Sequence, residues 1–543
     1  MLLSPVGQEG WPTRPQAVNV LFALYGDFSS NSSIPLALHA RELRRRGHDC
    51  AVALPSGLES APRGNELRAA LFADALAHPG SLFADGRPAD VVHAWTPREN
   101  VRRFVTAYQS RRPTPWVVYL EDNEAWIAQQ ALAPVGLGEE VLLQHTDEVI
   151  SLWTPQALAH PLRFREFIGL ADAAVVIQDK LAVDVPPWVP CTTVMPGVDL
   201  ELFAPREPHA AQRARLGIGE DERVIVYPGG LNGFTRPGIE ALCRAVGLVN
   251  ERGYRCRLLR SGPVALDFLG GVPAQARAAV TDVGVLPREE MPAFLALADA
   301  FVQPGKPDAF EDLRLPGKLP ELFAMGRPVV LPGTNIAALL RDGVDAVIHR
   351  TGSPEEMADK CIALFADPAR ARAIGAAGRR FAEANFDPAA QAARLERVLL
   401  DACRAFDAQG AAEVWSAASG DGPLAPVLAK RLYRMASAKP DDASRAAMMR
   451  AHARAIERSH ERERNLETGL KSRDADIAAM KSRAADLQAQ VEALGTAAHE
   501  LREAVDRLQQ SVVDRQARIA AIESSLSWRI TAPLRWLGRL LGR

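Results

Sequence analysis

The 543-residue sequence has few cysteines, almost no net charge and no long apolar run. Its six cysteines are scattered, with no two close enough to form a metal knuckle, which fits reduced thiols in the cytoplasm. A net charge of −2 argues against a general nucleic-acid binder. No stretch reaches the roughly 18 apolar residues of a membrane-spanning helix, and the first residues, MLLSPVGQEGWPTRP, lack the pattern of a signal peptide. We therefore expect a cytoplasmic protein.

Two long regions of the chain alternate short apolar runs with helical stretches. Over residues 16–205 the runs include AVNVLFALYG, ADVVHAW and PWVVYLED, and over residues 206–385 they include DERVIVYPGG and DAFVQPG. Buried strands of four to six residues separated by helices are typical of parallel sheets covered on both faces. The pattern predicts two α/β lobes with a cleft at the carboxyl ends of their strands.

The third region has a different period. From Leu466 to Leu526 apolar residues recur at alternating spacings of four and three, interrupted at Arg473 and Arg515, with no proline between. A heptad pattern of this length predicts a coiled coil, with a helix roughly 90 Å long. Such a helix needs a partner, and a second copy of the chain is the simplest one.

The last 17 residues, SWRITAPLRWLGRLLGR, contain four arginines and no acidic residue. Thr531 can cap a helix that Pro533 enters in its first turn. Helical winding then separates an apolar side from a basic side; the apolar side is Leu534, Trp536, Leu537, Leu540 and Leu541, and the basic side is Arg535, Arg539 and Arg543. This pattern predicts an interfacial membrane helix on anionic lipid, in competition with a helix that closes the coiled coil or packs on a lobe.

Four segments could form a site at the predicted cleft. The loop YGDFSSNSS contains Gly26, Asp27 and Ser29 and leads from a strand into a helix, where backbone N–H groups can meet an anion. His93 stands at the end of the predicted strand DVVHAW, where a catalytic role competes with a structural one.

The second lobe contributes the other two segments. Gly229 and Gly230 follow its first strand with Arg236 shortly beyond, which suits either a diphosphate or a plain turn. In LRLPGKLPELFAMGRPVV, Lys318 and Glu321 stand at the head of a helix, where ligand binding competes with a solvated first turn.

The order of these segments resembles the family 4 glycosyltransferases of the GT-B fold over roughly residues 17–400. VMPGVDLELFAP is similar to the Asn-Gly-Val-Asp…Phe-x-Pro domain junction of that family. PGKLPELFAMGRPVV looks like its Ser-Lys-Leu-x-Glu-x-x-Ala-x-Gly-x-Pro-Val segment, which is the most specific of the matches. The resemblance implies a retaining, hexosyl-type transfer from a nucleotide-diphosphate sugar, with no metal and no other cofactor.

The resemblance also implies roles for individual residues. Glu321 would bind the ribose hydroxyls of the donor, Gly229, Gly230 and Gly317 would lie at the donor, and Val285 and Leu286 would meet its base. Gly26, Asp27 and Ser29 would form the acceptor-side loop. Lys318 and Arg236 are our candidates to stabilise the leaving diphosphate, and His93 is a third catalytic candidate.

The sequence departs from the family pattern at several positions. Leu313 stands where the family often has a second Glu, eight positions before the ribose-binding one, and Gly230 stands where it usually has an Arg. Thr235 or Arg236 corresponds to its Lys. Two positions at which the family often has a His are replaced; they are occupied by Trp95 and by one of Glu121, Asp122 and Glu124.

These observations predict five segments: an acceptor-side lobe (1–205), a donor-binding lobe (206–405), a linker (406–445), a coiled coil (446–526) and a basic amphipathic tail (527–543). We expect a transferase that acts on a lipid-linked glycan acceptor in cell-surface polysaccharide synthesis at the inner face of the membrane. The expected partners are the donor, the acceptor, anionic lipid and a second copy of the chain. Two alternatives stay open: a non-catalytic scaffold organised by the coiled coil, and a nucleotide-sugar epimerase on the same two-lobed fold.

Overall fold

The computed structural model describes residues 17–62, 67–112, 114–133, 154–161, 163–231, 235–263, 270–408, 483, 500–525, 529–540 and 542. The chain divides into two units, residues 1–438 and 439–543. The first unit holds both α/β lobes, which confirms the two predicted parallel-sheet lobes.

The first lobe is built on a seven-stranded sheet in which all neighbouring strands are parallel. Its strands are β1 Asn19–Leu24, β2 Asp49–Leu54, β3 Arg68–Leu71, β4 Val91–Trp95, β5 Trp116–Leu120, β6 Ala173–Val176 and β7 Cys191–Thr193. Their order is β3-β2-β1-β4-β5-β6-β7. The direction of winding therefore reverses between β1 and β4, and ligands of such sheets bind outside the strand ends at that point.

The second lobe repeats the plan with six parallel strands. They are β8 Arg223–Pro228, β9 Cys256–Ser261, β10 Val280–Asp282, β11 Ala300–Val302, β12 Val329–Pro332 and β13 Val347–His349, in the order β10-β9-β8-β11-β12-β13. Its winding reverses between β8 and β11. The central strands form because Val, Ile, Leu and Ala run without polar interruption, as both faces of the sheet are covered.

Helices cover the faces of both sheets. Those of the first lobe are Ser33–Arg45, Phe72–Ala77, Glu99–Arg111, Glu124–Leu132 and Arg163–Leu170. Those of the second are Ala210–Arg215, Arg236–Glu251, Ala274–Ala278, Met291–Leu295, Ala309–Asp312, Leu319–Ala324, Pro354–Ala366 and Pro368–Asn385, followed by Pro388–Ala408. Short 3₁₀ turns lie at Leu58–Ser60, Asp179–Asp184 and Asn335–Leu339.

The last of these helices returns to the first lobe. Pro388–Ala408 packs against β4, β5, β6 and the helix Ser33–Arg45. Glu396 accepts a hydrogen bond from Arg46 Nε at 2.7 Å, and one of its oxygens lies 2.9 Å from His48 Nε2. The chain thus crosses between the lobes a second time, and its last helix packs on the middle of the first sheet.

The second unit is described in part. Residues 500–524 form a helix, and the predicted apolar stripe on it is exposed at Leu501, Val505, Leu508, Val512, Ile519 and Ile522. The linker beyond residue 408 and the predicted coiled coil before residue 500, apart from residue 483, lie outside the described residues, so the coiled coil stays a prediction.

The basic tail contains the helix Ala532–Leu540, which begins directly after Thr531. Leu534 and Trp536 are exposed on it, and Arg535 bonds Thr531 Oγ1. None of the helices in the described ranges is long and apolar enough to cross a membrane.

Candidate active site

The carboxyl ends of the two sheets meet through a segment of the second lobe. Asp312 accepts a hydrogen bond from Gln178 Nε2 at 2.8 Å through its backbone oxygen and forms an ion pair with Lys180. Nearby, the rings of Phe310 and Trp126 stack with their centroids 4.0 Å apart. Residues that leave the strand ends of either lobe therefore face a common cleft.

Gly229 and Lys318 form the most closely packed part of this cleft. Gly229 follows β8 and donates its N–H to Ser261 O at 2.8 Å. A Cβ atom added there would lie 2.7 Å from Lys318 Nζ and 3.3 Å from the hydroxyl of Tyr227. Because only a glycine leaves room for the ammonium group, the structure brings together these two predicted donor-site residues.

The ammonium group of Lys318 forms no ion pair with a described residue, and the carboxylate of Glu311 acts on it only from farther away. Its Nζ lies 3.6 Å from the ring centroid of Tyr227, and no carboxylate of the described residues lies within 4 Å of it. Burial and the nearby guanidinium of Arg314 hold the pKa of Lys318 well below its usual range, against the opposing effect of Glu311. A half-buried ammonium group whose charge is disfavoured in this way is stabilised by an incoming anion such as a diphosphate.

The sequence did not predict a role for Arg260, which forms hydrogen bonds to the turns at Gly229–Gly230 and Gly262–Pro263. We call these two adjacent turns the glycine loop. The buried Nη2 of Arg260 donates to three carbonyl oxygens, at 3.1 Å to Gly229, 2.6 Å to Gly262 and 2.7 Å to Pro263, and its Nη1 donates to Asp282 at 2.6 Å. Turning these carbonyls towards Arg260 fixes the orientation of the peptide groups that border the cleft. The only sequence signal is an arginine at the end of an apolar strand.

Gly262 is the second glycine that the loop requires. Its φ is +122°, and a Cβ atom there would lie 2.8 Å from the carbonyl carbon and oxygen of Gly229. Gly230 is less restricted, since its Cβ would meet Pro263 at an ordinary 3.4 Å. Gly317 is exposed, with nothing within 4 Å of an added Cβ.

Glu321 lies one turn beyond Lys318, in the helix Leu319–Ala324, where it is paired with Arg288. Arg288 Nη1 donates to Glu321 Oε1 at 2.7 Å. Burial raises the pKa of Glu321, and Arg288 opposes that rise. Val285 and Leu286, the predicted base contacts, lie in the loop that leads to Arg288, with Val285 exposed and Leu286 partly buried.

Glu311, near the Leu313 position, is a second residue of the cleft that the sequence did not predict. Glu311 packs its carboxyl carbon 3.3 Å from where a Cβ on Gly305 would be, and no described atom bonds its buried Oε2. Burial raises the pKa of Glu311, which Arg314 and Lys318 counteract. Glu311, two residues before Leu313, thus brings a carboxylate to the same part of the cleft, which spacing alone hides.

Arg236 is engaged within its own helix. It is the first residue of Arg236–Glu251, and its Nε donates to Glu240 Oε1 at 2.8 Å. Thr235 approaches the glycine loop instead, with its hydroxyl 3.4 Å from Gly230 O. The role of Arg236 at the diphosphate therefore stays a prediction that needs the Glu240 pair to open.

The predicted acceptor-side loop follows β1. Asp27 accepts hydrogen bonds from the backbone N–H and the hydroxyl of Ser29, at 2.9 and 2.5 Å, and these bonds lower the pKa of Asp27. Gly26 is open, with only Ser30 within 4 Å of an added Cβ. The loop is locally ordered by Asp27 and leads into the helix Ser33–Arg45.

The expected position of His93 at a strand end is wrong. His93 is the middle residue of β4 and is fully buried, packed near the rings of Phe22, Trp95 and Tyr119 at centroid distances of 5.2, 5.4 and 5.9 Å. Burial, and secondarily His39, lower the pKa of His93 to about 3. The side chain points into the lobe because both faces of a central strand are covered, so it has no route to a substrate here.

Acidic residues, rather than a histidine, follow the end of β5. Glu121 is buried and accepts hydrogen bonds from Ser32 Oγ and, at 2.9 Å, from Trp95 Nε1. Burial, with a contribution from Asp122, raises the pKa of Glu121 to about 7. Glu124 is likewise buried and binds the guanidinium of Arg98, at 3.1 Å from Nε.

Thr96 marks the point where the winding of the first sheet reverses. It directly follows β4, its φ is +72°, and its buried hydroxyl has no partner among the described residues. A β-branched residue in this region of backbone space is strained, and such strain concentrates at functional sites. The first lobe therefore offers Thr96, Glu121 and Asp122 at its edge of the cleft.

Comparisons with known proteins agree with this arrangement. Residues 222–367 match the family described as Glycosyl transferases group 1. The D-inositol 3-phosphate glycosyltransferase of Thermobispora bispora is 28% identical over 279 residues, which cover 49% of this chain and 58% of the relative. The GDP-mannose-dependent alpha-(1-6)-phosphatidylinositol monomannoside mannosyltransferase of Mycolicibacterium smegmatis is 32% identical over 229 residues, covering 38% and 54%. The chain thus spans little more than half the length of these relatives.

Solved structures share the two-lobed fold. Anabaena HepE in complex with UDP and glucose superposes with a TM-score of 0.53 at 13% identity, covering 70% of this chain and 99% of HepE. WaaG, a glycosyltransferase involved in lipopolysaccharide biosynthesis, gives a TM-score of 0.50 at 15% identity, covering 70% and 99%. The chain therefore has the GT-B arrangement of two parallel-sheet lobes, and residues 222–367 of its second lobe are similar to the group 1 glycosyltransferases.

Proposed function

We propose that the protein is a retaining, hexosyl-type glycosyltransferase that moves a sugar from a nucleotide-diphosphate sugar to a lipid-linked glycan acceptor in cell-surface polysaccharide synthesis. The observation that carries the proposal is the ammonium group of Lys318, which forms no ion pair with a described carboxylate and lies against Gly229 at the end of the first strand of the second lobe. Retention rests on the resemblance to family 4 glycosyltransferases.

The geometry supports a division of labour in the donor site. The diphosphate lies against Gly229, where Lys318 stabilises the charge that develops as the leaving group departs. Glu321 binds the ribose hydroxyls, and it exchanges its bond to Arg288 for bonds to the vicinal diol. Val285 and Leu286 border the base.

The names of similar proteins guide the choice of ligands. HepE was crystallised with UDP and with UDP-glucose, and the Mycolicibacterium relative is named as GDP-mannose-dependent. UDP- and GDP-sugars are therefore the donors to test first. The same relative is named for a glycosylated phosphatidylinositol acceptor, which supports a lipid-linked acceptor for this chain.

Assembly and location complete the proposal. The exposed apolar stripe on helix 500–524 favours a homo-oligomer formed through residues 466–526. The exposed Leu534 and Trp536, on a helix that also carries Arg539, favour attachment of residues 527–543 to anionic lipid at the inner face of the cell membrane.

A non-catalytic scaffold is the second candidate. The Arg288–Glu321 ion pair fills the predicted ribose contact, and Gly230 supplies no cation where the family has an arginine. Slow hydrolysis of a bound donor, measured as free sugar released from UDP-glucose and GDP-mannose, separates a transferase from a scaffold, which releases none.

Titration of UDP and GDP into Glu321→Ala tests the donor site. Loss of a charged hydrogen-bonding partner is expected to cost about 2 kcal/mol, which is roughly a thirtyfold weaker Kd. Glu289→Ala, which removes an exposed carboxylate of the neighbouring loop, is the matched control and should bind as the wild type does. Equal nucleotide affinity in Glu321→Ala and wild type would remove Glu321 from the site.

A further inference from the structure

A groove of about 940 Å³ runs along the helix Ser33–Arg45 on the first lobe. The helix lines it over its whole length, from Ser33 to Arg45; Asp199 lines it at the junction between the lobes, and Arg288 lines it from the second lobe. The groove therefore extends from the acceptor-side loop, represented by Phe28, towards the residue that pairs with Glu321.

The lining of the groove divides into apolar and cationic residues. The apolar residues are Phe28, Ile34, Ala37, Leu38, Ala40, Pro62 and Leu67. The charged residues are Arg41, Arg44, Arg45, Arg288 and Asp199. Ile34 is 39% exposed although it lies on a helix that packs on the sheet, so the groove presents apolar surface to solvent. Apolar surface next to several cations is complementary to an anionic amphiphile.

Most of the arginines in the groove form ion pairs with carboxylates. Arg41 lies 3.2 Å from Glu42 and 3.4 Å from Asp199, and Arg45 lies 2.8 Å from the same oxygen of Glu42. Arg44 is half-buried and pairs with no carboxylate of the described residues. Two carboxylates thus serve three arginines of one helix, which leaves a positive charge unbalanced.

Arg288 connects the groove to the donor site. Its guanidinium binds Glu321 at 2.7 Å while its side chain lines the groove. When a donor ribose takes the Glu321 carboxylate, Arg288 loses its counter-charge and the positive charge of the groove increases. Donor binding and anion binding in the groove are therefore linked, and this step rests on the function proposed above.

We propose that the groove binds the phosphate of a phosphorylated lipid acceptor, with Arg44, which pairs with no described carboxylate, as its cation and the first part of the lipid on the accessible Phe28, Ile34 and Ala37. Arg288 joins the phosphate once the donor has displaced it from Glu321. The groove thereby selects acceptors whose lipid carries a phosphate close to the glycan.

Farnesyl phosphate, titrated into the full chain by calorimetry, tests the site, with farnesol as the uncharged comparison. Arg44→Gln is expected to weaken farnesyl phosphate at least about fivefold, because one charge-assisted contact is lost. Arg46→Gln is the matched control, since Arg46 is the adjacent arginine, pairs with Glu396 and does not line the groove. Farnesol should bind at least about tenfold more weakly than its phosphate.

Several results would overturn the assignment. Equal affinity in Arg44→Gln and wild type, or an equal loss in Arg44→Gln and Arg46→Gln, shows that no specific site lies at Arg44. A loss in Arg539→Gln equal to that in Arg44→Gln would put the ligand on the tail. Competition by inorganic phosphate as strong as that by farnesyl phosphate would leave an anion site without a lipid.

The link to the donor has its own measurement. A saturating nucleotide diphosphate should tighten farnesyl phosphate in the wild type, and Arg288→Gln should abolish that effect. An unchanged affinity with bound nucleotide contradicts the role of Arg288. An error in the proposed donor site can be told apart from an error in the proposed groove. If the donor site is wrong, Glu321→Ala leaves nucleotide binding unchanged, while the comparison of Arg44→Gln with wild type still tests the groove.

Discussion

Lys318 shows how a single residue can be held in an unfavourable state for use by a ligand. Its charge is disfavoured by burial and by Arg314, and the ring of Tyr227 and the more distant Glu311 compensate only in part. A diphosphate that displaces water from this position removes the penalty. The free energy recovered is largest when the charge on the leaving group is greatest, which is in the transition state.

Lys318→Met should therefore reduce kcat more than it weakens the donor. We expect kcat to fall at least about a hundredfold, as for loss of one charge-stabilising donor in other enzymes, with a smaller change in the donor KM. Steady-state kinetics with the best nucleotide sugar measure both. Lys306→Met, which removes an exposed lysine of the same lobe, is the control. A rise in KM with unchanged kcat would mean that Lys318 binds ground state and transition state equally.

His93 and His39 are buried imidazoles whose four ring nitrogens have no described partner. Burial lowers the pKa of His39 to about 4 and that of His93 to about 3, below the ordinary value of 6.5. At a pH between the lowered pKa of each imidazole and 6.5, the unfolded chain binds more protons than the folded one. Stability should therefore be lost as pH falls below about 6.5, and each imidazole contributes about 2 kcal/mol of this loss by pH 5.

Replacing His93 removes one of these titrations. His93→Leu should show a smaller drop in apparent Tm between pH 7.5 and pH 5 than the wild type, whatever its stability at pH 7.5. Differential scanning fluorimetry at the two pH values measures the difference, with His209→Leu, an exposed position, as control. A drop equal to that of the wild type would mean that the buried imidazole does not titrate on unfolding.

Among the elements, the strands could be predicted from sequence better than the contacts at their ends. The apolar runs predicted β1, β4, β5, β8 and β11 because a strand buried on both faces has no polar interruption. An uninterrupted apolar run does not show where a strand ends, so His93 was placed at the end of β4 although the strand continues to Trp95. The family resemblance assigned Gly229 and Lys318 to one diphosphate, and the two do lie together, since a Cβ atom added at Gly229 would be 2.7 Å from Lys318 Nζ.

Contacts between distant segments were beyond sequence reasoning. Arg260 reaches the carbonyl oxygens of Gly229, and Arg288 reaches Glu321 over 33 residues, and neither pairing leaves a local pattern. Glu311 was missed because it is displaced by two positions from the family spacing. In each case, the information lies in how loops of different strands approach each other, which depends on the packing of the whole lobe.

The exposed apolar stripe on helix 500–524 predicts that the chain forms an oligomer through this helix. Leu508 and Val512 lie on its exposed apolar stripe, so a charge at Leu508 should prevent helix pairing. Leu508→Glu is expected to shift sedimentation from an oligomer to a monomer, while Gln509→Glu, one position off the stripe, should not. Deletion of residues 446–543 should also give a monomer. A deletion variant that stays oligomeric would place the contact in the lobes.

For the whole molecule, the two units carry different tasks. The lobes hold the proposed donor site and the groove, whereas the described part of the second unit offers exposed apolar surface on both of its helices. Oligomerisation would present several tails at once, and several weak membrane contacts on one particle bind much more tightly than one. Membrane attachment should therefore depend on the tail and on the oligomer together.

Flotation with liposomes tests this dependence. The full chain should float with vesicles that contain anionic lipid, because Leu534 and Trp536 enter the interface while arginines of the same tail meet the lipid headgroups. A chain of residues 1–526 should stay at the bottom, and Leu508→Glu should float less than wild type because each particle then carries a single tail. Salt should weaken the binding, since the headgroup attraction is screened within about 10 Å at 0.1 M. Equal flotation of the full and shortened chains would transfer the membrane contact to the lobes, where the groove beside Arg44 is the next surface to test.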